Sequence, residues 1–376
     1  MGIARIRRYD PTDGLLRDPH ISSHSINPLI MSILRQLNVR LPIVQAPMAG
    51  TSTPQMAAAV SNAGGLGSIA LGAGDASAAQ EAIRRVRQLT DKAFNVNLFV
   101  HRPAVSEPDV CRNWIDHLRP TFESLDAQPP ESLKEIYKTF DGYQDMLDIL
   151  LADQLPLVSF HFGLPSPEFI AALRSKGTKL FASVTSLEEA KQAEEAGIDC
   201  LVAQGYEAGG HRGVFDDKGA DDQLSTFALV QLLVAHSSLP VIAAGGIMTG
   251  QGIRAVLGLG AIAAQLGTAF VLTSESAADE AYRAAMRSTA ARHTVMTAAI
   301  SGRPARCLAN KFTSLPVVGR IPDYPLTYDI GKALNAAAKA KGDGGYGAQW
   351  AGQGAPLARE MSCEDLIKTL EREMGA

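Results

Sequence analysis

The chain has 376 residues, 46% of them hydrophobic and 20% charged, enough apolar material for the core of one large or two ordinary globular domains. Thirty-five Lys and Arg against 39 Asp and Glu give a formal net charge of −4 with no long basic run, which excludes a nucleic-acid footprint. The four cysteines, Cys111, Cys200, Cys307 and Cys363, lie far apart without metal-ligand spacing, and no apolar run approaches the roughly 20 residues that span a bilayer, so structural zinc, a disulfide framework and a membrane partner are not expected. The thiols read as the reduced thiols of a cytoplasmic protein.

Residues 1–30 carry Arg5, Arg7 and Arg8 without a following apolar core, and Asp10, Asp13 and Asp18 argue against a transit peptide. They are expected to be a disordered extension, or the true start is Met31. A repeating pattern then begins. Pro42–Gln45 reads as a first strand, followed by a helix from about Thr53 to Asn62 with Thr53 as N-cap and Pro54 at its first position. Gly67–Ala70 is a second strand and Ala76–Leu89 an amphipathic helix with Ile83, Val86 and, at its end, Leu89 on its apolar side. A third strand, Phe94–Phe99, is followed by a helical insertion over about 107–153, interrupted at Pro129-Pro130.

Leu157–Phe162 is the fourth strand, with a return helix at Glu168–Ser175, and Lys179–Val184 the fifth. The helix Leu187–Ala196, capped by Ser186 and ended by Gly197, leads to a sixth strand, Asp199–Gln204. Pro240–Ala244 and Ala261–Leu266 are the seventh and eighth, followed by helices near Gly250–Leu257 and Ala277–Arg287. Eight strand–helix alternations over roughly 245 residues match a closed (β/α)8 TIM barrel. The other candidate, an open doubly wound sheet, wants a GxGxxG turn after its first strand, where this chain has Ala46-Pro47-Met48-Ala49-Gly50. The domain expectation is a barrel over 31–299 with residues 300–376 as an appended helical element packed on it, monomeric or homodimeric.

In such a barrel the strand ends share one face, where active sites of this fold lie. Met48, Asn97, His101, His161, Gln204, His211, Gly246 and Thr268 all fall at or just past a strand end. Cys200–Gly213 is the densest stretch, a strand ending at Gln204 and opening into a loop with Gly205, Gly209, Gly210, Gly213 and the imidazole of His211. The turns around Gly245-Gly246 and Gln265-Leu266-Gly267-Thr268 follow strands seven and eight, where backbone N–H groups of this fold commonly hold phosphate. A phosphorylated sugar, a nucleotide or a flavin mononucleotide each fits that signal. Asn97 and Gln204 favour the flavin, because their amides suit its uracil-like edge while Pro47 and Met48 line its face. No HxH or HExxH accompanies His101, His161 and His211, and there is no GxSxG elbow, so no metal and no serine nucleophile is expected.

The segments QAPMAG (45–50), SNAGGLGS (61–68), FNVNLF (94–99), SFHFG (159–163), VAQGYEAGGHRG (202–213), AAGGI (243–247) and QLGTAF (265–270) together closely resemble the nitronate monooxygenases, formerly called 2-nitropropane dioxygenases. The resemblance runs from about Leu41 to the C-terminus, and DYPLTYDIGK (323–332) and AQWAGQG (348–354) are similar to the bacterial class I members. It implies an FMN-dependent barrel that oxidises alkyl nitronates, such as propionate 3-nitronate, with O2 to a carbonyl compound and nitrite, through one-electron transfer to the flavin. The flavin contacts it implies are Pro47, Met48, Asn97, Gln204, Gly209 with Gly210, Gly245 with Gly246, and Gln265, Leu266, Gly267 and Thr268. His211 becomes the catalytic residue, and His161, Tyr324, Tyr328 and Lys332 the substrate pocket. The last three are spaced by four and share one face if the segment is helical, although Pro325 disturbs its first turn. An FMN- and NAD(P)H-dependent reductase of an enoyl-thioester or quinone, and a non-redox phosphate-ligand barrel, are the competing readings.

Overall fold

A computed structural model of the chain describes residues 32–375, so the expectation for residues 1–30 lies outside it. The strands described are β1 (Ile43–Gln45), β2 (Gly67–Ala70), β3 (Phe94–Phe99), β4 (Leu157–His161), β5 (Lys179–Val184), β6 (Cys200–Gln204), β7 (Gly210–His211), β8 (Val241–Ala244), β9 (Ala263–Leu266), β10 (Thr294–Thr297) and β11 (Ala305–Leu308). Eight of them form one parallel sheet in the order β2, β3, β4, β5, β6, β8, β9, β1. A single parallel bridge between Val44 and Leu66 brings β1 back to β2 and closes the ring. This is the (β/α)8 TIM barrel that the alternation implies.

Period-two alternation sorts the strand residues between two cores. Val96, Leu98, Val158, Phe160, Leu180, Leu201 and Ala203 face outward into the layer between barrel and helices. Val44, Leu66, Leu157, Phe181, Cys200, Val202 and Ile242 fill the N-terminal half of the interior, together with Ile33 and Leu37 from α1 (Ser32–Gln36) and its exit. Toward the C-terminal ends the inward positions turn polar: Gln45, Ser68, Asn95, Asn97, Ser159 and Gln204 are all buried. Several of them bond across strands, although Asn95 Oδ1 has no protein partner among the described residues. Ser68 N–H donates to Gln45 Oε1 at 2.7 Å, and the side-chain amides of Asn95 and Asn97 each donate to Ser159 Oγ at 2.9 Å.

The helices described are, after α1, α2 (Pro54–Asn62), α3 (Ala76–Leu89), α4 (Pro108–Ser124), α5 (Gln144–Ala152), α6 (Pro167–Ser175), α7 (Leu187–Glu195), α8 (Thr226–His236), α9 (Gly250–Gly258), α10 (Glu280–Arg287), α11 (Leu326–Ala340) and α12 (Cys363–Gly375). Their starts follow the capping rule: Thr53 accepts from Met56 N–H, Asp75 from Ala78 N–H and Ser186 from Glu189 N–H. In the stretch after β3, α5 packs on α3 and α6 and so completes the shell, while α4 packs on α11.

Two arrangements escape the sequence pattern. The shell position after β9 is filled by α12 and not by the helix next in sequence, α10. α12 packs between α9 and α2, with Cys363, Leu366, Ile367 and Leu370 in the barrel–helix core, and Glu373 accepts the N–H of Gly250 at the start of α9. The second is a small antiparallel sheet, β10-β11-β7, in which Ala305 pairs with His211 and Arg306 with Gly210. Its strands are too short to show alternation, so the 294–308 hairpin was not legible as strand.

Because Ile367 is fully buried in the main core, Ile367→Ala is expected to cost about 2–5 kcal/mol in a urea titration. A loss below about 1 kcal/mol would show that α12 is a surface appendage and not a shell helix.

Candidate active site

A cavity of about 440 Å³ opens at the C-terminal ends of the strands. Of the residues expected to form a site, Pro47, Met48, Asn97, His161, Gln204, Gly209, Gly210, His211, Gly245, Gly246, Gln265, Gly267, Thr268, Tyr324, Tyr328 and Lys332 all line it. Leu266 does not. Its side chain sits in the outer barrel–helix core and its carbonyl accepts from Ala46 N–H at 2.8 Å, as the β1–β9 pairing requires.

One end of the cavity is built from glycine. Gly245 and Gly246 adopt φ of +126° and +67°, values that a side chain disfavours, and so turn the chain sharply after β8. Thr268 lies beside them after β9, and its Oγ1 accepts the N–H of Gly352 at 3.0 Å. The segment 350–354 thus crosses the glycine end. It can do so because Gly209 carries no Cβ; one there would stand 2.4 Å from Gly352 N. The glycines of AQWAGQG are needed for the same close crossing: a Cβ on Gly352 would stand 2.7 Å from Glu207 O and one on Gly354 2.5 Å from Met248 Cγ.

In the middle, Pro47 and Met48 form one wall, and amides from three strands face the space. Asn97 commits its Nδ2 to Ser159 and so presents its oxygen. Gln204 is more tightly occupied, with Nε2 donating to His211 O at 2.9 Å and Oε1 accepting from Gly213 N–H at 2.7 Å. Its first job is therefore to hold the loop that carries His211. Gln265 is held by its backbone between β1 and β8, and its side chain has no protein hydrogen bond among the described residues, leaving that amide for a ligand.

The other end is aromatic. Around the His211 ring stand Trp350 at 4.9 Å, Tyr324 at 5.4 Å, Phe162 at 5.6 Å and Tyr328 at 5.9 Å between centroids. Tyr324 precedes α11 and does not share its face, since the helix begins only at Leu326; Tyr328 and Lys332 do share it, one turn apart. The Tyr324 hydroxyl is buried without a protein partner among the described residues, and burial keeps it protonated. Lys332 stands at the mouth, donating to Tyr137 Oη at 2.7 Å with its ammonium 5.1 Å and 5.6 Å from the Tyr137 and Tyr328 ring centres. Tyr137 arrives from the stretch after β3, in which no local signal marks it.

Behind this wall lies a charge that the sequence did not reveal. Arg303 is 1% exposed, with its guanidinium 4.4 Å from the Phe162 ring centre. It donates to Val214 O and lies 3.6 Å from Asp217, both in the loop after β7. Arg212 binds Asp221 through two bonds of 2.8 and 2.9 Å in the same loop, and Arg306 donates to Tyr206 O. Three arginines thus pin the loop around His211. Burial and the Arg303 charge lower the pKa of His101 and of His161 to about 4. For His211, burial first and then His161, Arg303 and His101 push it down to about 3. All three imidazoles are neutral at neutral pH. No group of three or more metal-ligating side chains occurs among the described residues.

The nitronate monooxygenase family model matches residues 32–373 of the chain. The chain is 56% identical over 346 residues to a nitronate monooxygenase of Paraburkholderia phytofirmans, covering 91% of this chain and 94% of that one. It is 51% identical to one from Pseudomonas aeruginosa, covering 90% and 98%. Among solved structures, the nitroalkane oxidase from Streptomyces ansochromogenes superposes with a TM-score of 0.83 at 40% identity, over 92% of this chain and 98% of that one. FabK from Thermotoga maritima superposes with a TM-score of 0.69 at 30% identity, over 91% and 95%.

The neutral histidines make stability depend on acid. In the unfolded chain they take up protons below pH 6.5, whereas the folded chain holds them neutral down to about 4 or 3. Stability is therefore expected to fall between pH 6.5 and 4, by up to about 1.4 kcal/mol per pH unit for each histidine. Thermal melts at pH 7 and pH 5 check this; an unchanged midpoint would mean that the folded imidazoles are charged.

Proposed function

Because this chain belongs to the nitronate monooxygenase family, an oxidoreductase family, we propose that it uses FMN and O2 to oxidise alkyl nitronates, with propionate 3-nitronate as a substrate, to a carbonyl compound and nitrite. The observation that carries this reading is the division of one cavity into a glycine end and an aromatic, histidine-bearing end backed by a buried cation.

The residues present fit the cofactor. The turns at Gly245-Gly246 and Gly267-Thr268 would hold its phosphate through backbone N–H groups and the Thr268 hydroxyl, whose oxygen already accepts from Gly352 and whose proton can be donated. Asn97 Oδ1 and the Gln265 amide would meet polar edges of the ring, with Pro47 and Met48 against its face. Bound there, FMN supplies the electron acceptor and the reaction with O2.

The chain's own residues bind and orient the substrate. A nitronate is an anion, and the Arg303 charge behind Phe162 lies in a water-poor setting where it acts at low screening. The unpartnered Tyr324 hydroxyl would donate to a nitronate oxygen. His211, neutral at physiological pH, would not pair with a ready-made anion as a cation; its free ring nitrogen is where the α-proton of a neutral nitroalkane would go, and since its low pKa makes the resting imidazole a weak base, the nitronate formed beside it would have to stabilise the resulting imidazolium. The likeness to a protein called nitroalkane oxidase supports including such substrates. A soluble cytoplasmic enzyme needing no metal is the setting proposed for it.

Purified protein should be yellow, should lose its flavin colour on anaerobic mixing with propionate 3-nitronate, and should release nitrite in air. Rapid bleaching by NADH alone would replace this reading with a reductase, and colourless protein would remove both. At the cavity mouth, Lys332→Met should raise KM for propionate 3-nitronate roughly two- to fivefold, the worth of a partly exposed charge pair. An equal change for ethyl nitronate would deny Lys332 a role in reading a substrate carboxylate.

A further inference from the structure

We infer that Ser301 is a positioning residue for His211: its hydroxyl accepts the Nε2–H of the imidazole, fixes that tautomer, and leaves Nδ1 as the atom that takes a proton from substrate. The inference deepens the proposed function and rests on it for the proton transfer, though not for the tautomer.

Ser301 Oγ lies 2.9 Å from His211 Nε2 and 3.1 Å from the carbonyl of Arg303. A hydroxyl has one proton, so it can donate to one of these atoms only. Donating to Arg303 O lets the same oxygen accept from Nε2–H, and all three groups are satisfied. Donating to Nε2 instead would leave the Arg303 carbonyl without a partner, because no backbone N–H among the described residues reaches it. Ser301 is fully buried, so water does not make up the loss. The first arrangement is the stable one.

The fold holds both partners rigidly. The backbone of His211 is fixed on two sides: its strand β7 pairs with β11, and its carbonyl accepts from Gln204 Nε2 at 2.9 Å and lies 3.2 Å from His161 Nε2. Ser301 sits in the turn between β10 and β11, where Ser301 N–H and Gly302 N–H both donate to Ala298 O. That turn is clamped. Gly302 has φ of +92°, and a Cβ there would stand 2.6 Å from Tyr324 N; a Cβ on Gly331 of α11 would stand 2.4 Å from Ile300 O. No protein group is hydrogen-bonded to His211 Nδ1 among the described residues, and His211 lines the cavity.

The step balances simply. The α C–H bond of a neutral nitroalkane breaks, its electron pair stays on the substrate as the nitronate, and the proton forms an N–H bond at Nδ1. Nε2–H remains bonded to Ser301 throughout, so the imidazolium is oriented by an oxygen that is already placed to accept from it.

The test has a spectroscopic arm and a kinetic one. In the purified full-length protein labelled with 15N-histidine, with the His211 signal assigned by its loss in His211→Asn, the resting imidazole should carry its proton on Nε2. A proton on Nδ1 overturns the inference, whether or not the protein oxidises any nitro compound. In Ser301→Ala the signal should become a mixture of tautomers; an unchanged Nε2–H form overturns the role of Ser301. Kinetically, Ser301→Ala should lower kcat/KM for nitroethane roughly 10- to 100-fold and that for ethyl nitronate less than about threefold, since only the first needs a base. Equal losses on both substrates would make Ser301 merely structural and overturn the proposal.

Discussion

The interior of an eight-stranded barrel must be filled, and how this chain fills it decides where chemistry can occur. The N-terminal half is packed with Val44, Leu157, Phe181, Val202 and Ile242, which leave no room for water or ligand. The C-terminal half is lined with Gln45, Asn95, Asn97, Ser159 and Gln204, polar groups held by hydrogen bonds across strands and to the strand-end loop: Gln45 to Ser68, Asn95 and Asn97 to Ser159, and Gln204 to His211 and Gly213. A solid floor under a hydrogen-bonded ceiling gives a rigid base on which the strand-end loops rest. The cavity follows from that gradient.

On this base a second constraint operates, the fastening of the loop after β6. A loop of its length would be mobile if it were held only by its ends. Here β7 adds two residues to a small sheet, Gln204 ties back to His211 O and Gly213, and Arg212, Arg303 and Arg306 donate into the same loop. The fastening has an electrostatic consequence. Burial is the main reason the three imidazoles stay neutral, and the Arg303 cation, packed on Phe162 and 3.6 Å from Asp217, adds to it. The same residue thus fastens the loop and helps to keep the imidazoles neutral.

Much of this was legible in the order of residues. Strand β3 reads as FNVNLF because its outward positions Phe94, Val96 and Leu98 are apolar and its inward ones begin with Asn95 and Asn97 before Phe99 reaches the cavity, a period of two that survives in the chain itself. Helix starts at Thr53 and Ser186 were visible because a cap is a contact between residues three apart. The glycine turns after β8 and β9 were visible because only glycine suits their backbone. By contrast, the spacing of Tyr324, Tyr328 and Lys332 puts them on one face only if the helix already includes Tyr324; the helix begins after Pro325, and Tyr324 reaches the same cavity from the turn before it. Spacing by four describes a face only where the helix has begun.

What the sequence by itself determined is the local grammar: which segments are strands and helices, which strand ends carry amides, histidines and glycines, and hence the barrel and most of the cavity wall. Tertiary structure alone decided which distant segments complete it. α12 supplies the eighth shell helix in place of α10; Tyr137 meets Lys332 across 195 residues, and Ser301 meets His211 across 90. It also decided that His211 is neutral, since its pKa is set by burial and by Arg303 and not by its neighbours in sequence. The physical reason is the range of the forces involved. Dihedral preference, capping and period act over a few residues and leave a trace in sequence, whereas packing, desolvation and Coulomb interaction act through space between residues that the chain does not bring together until it folds.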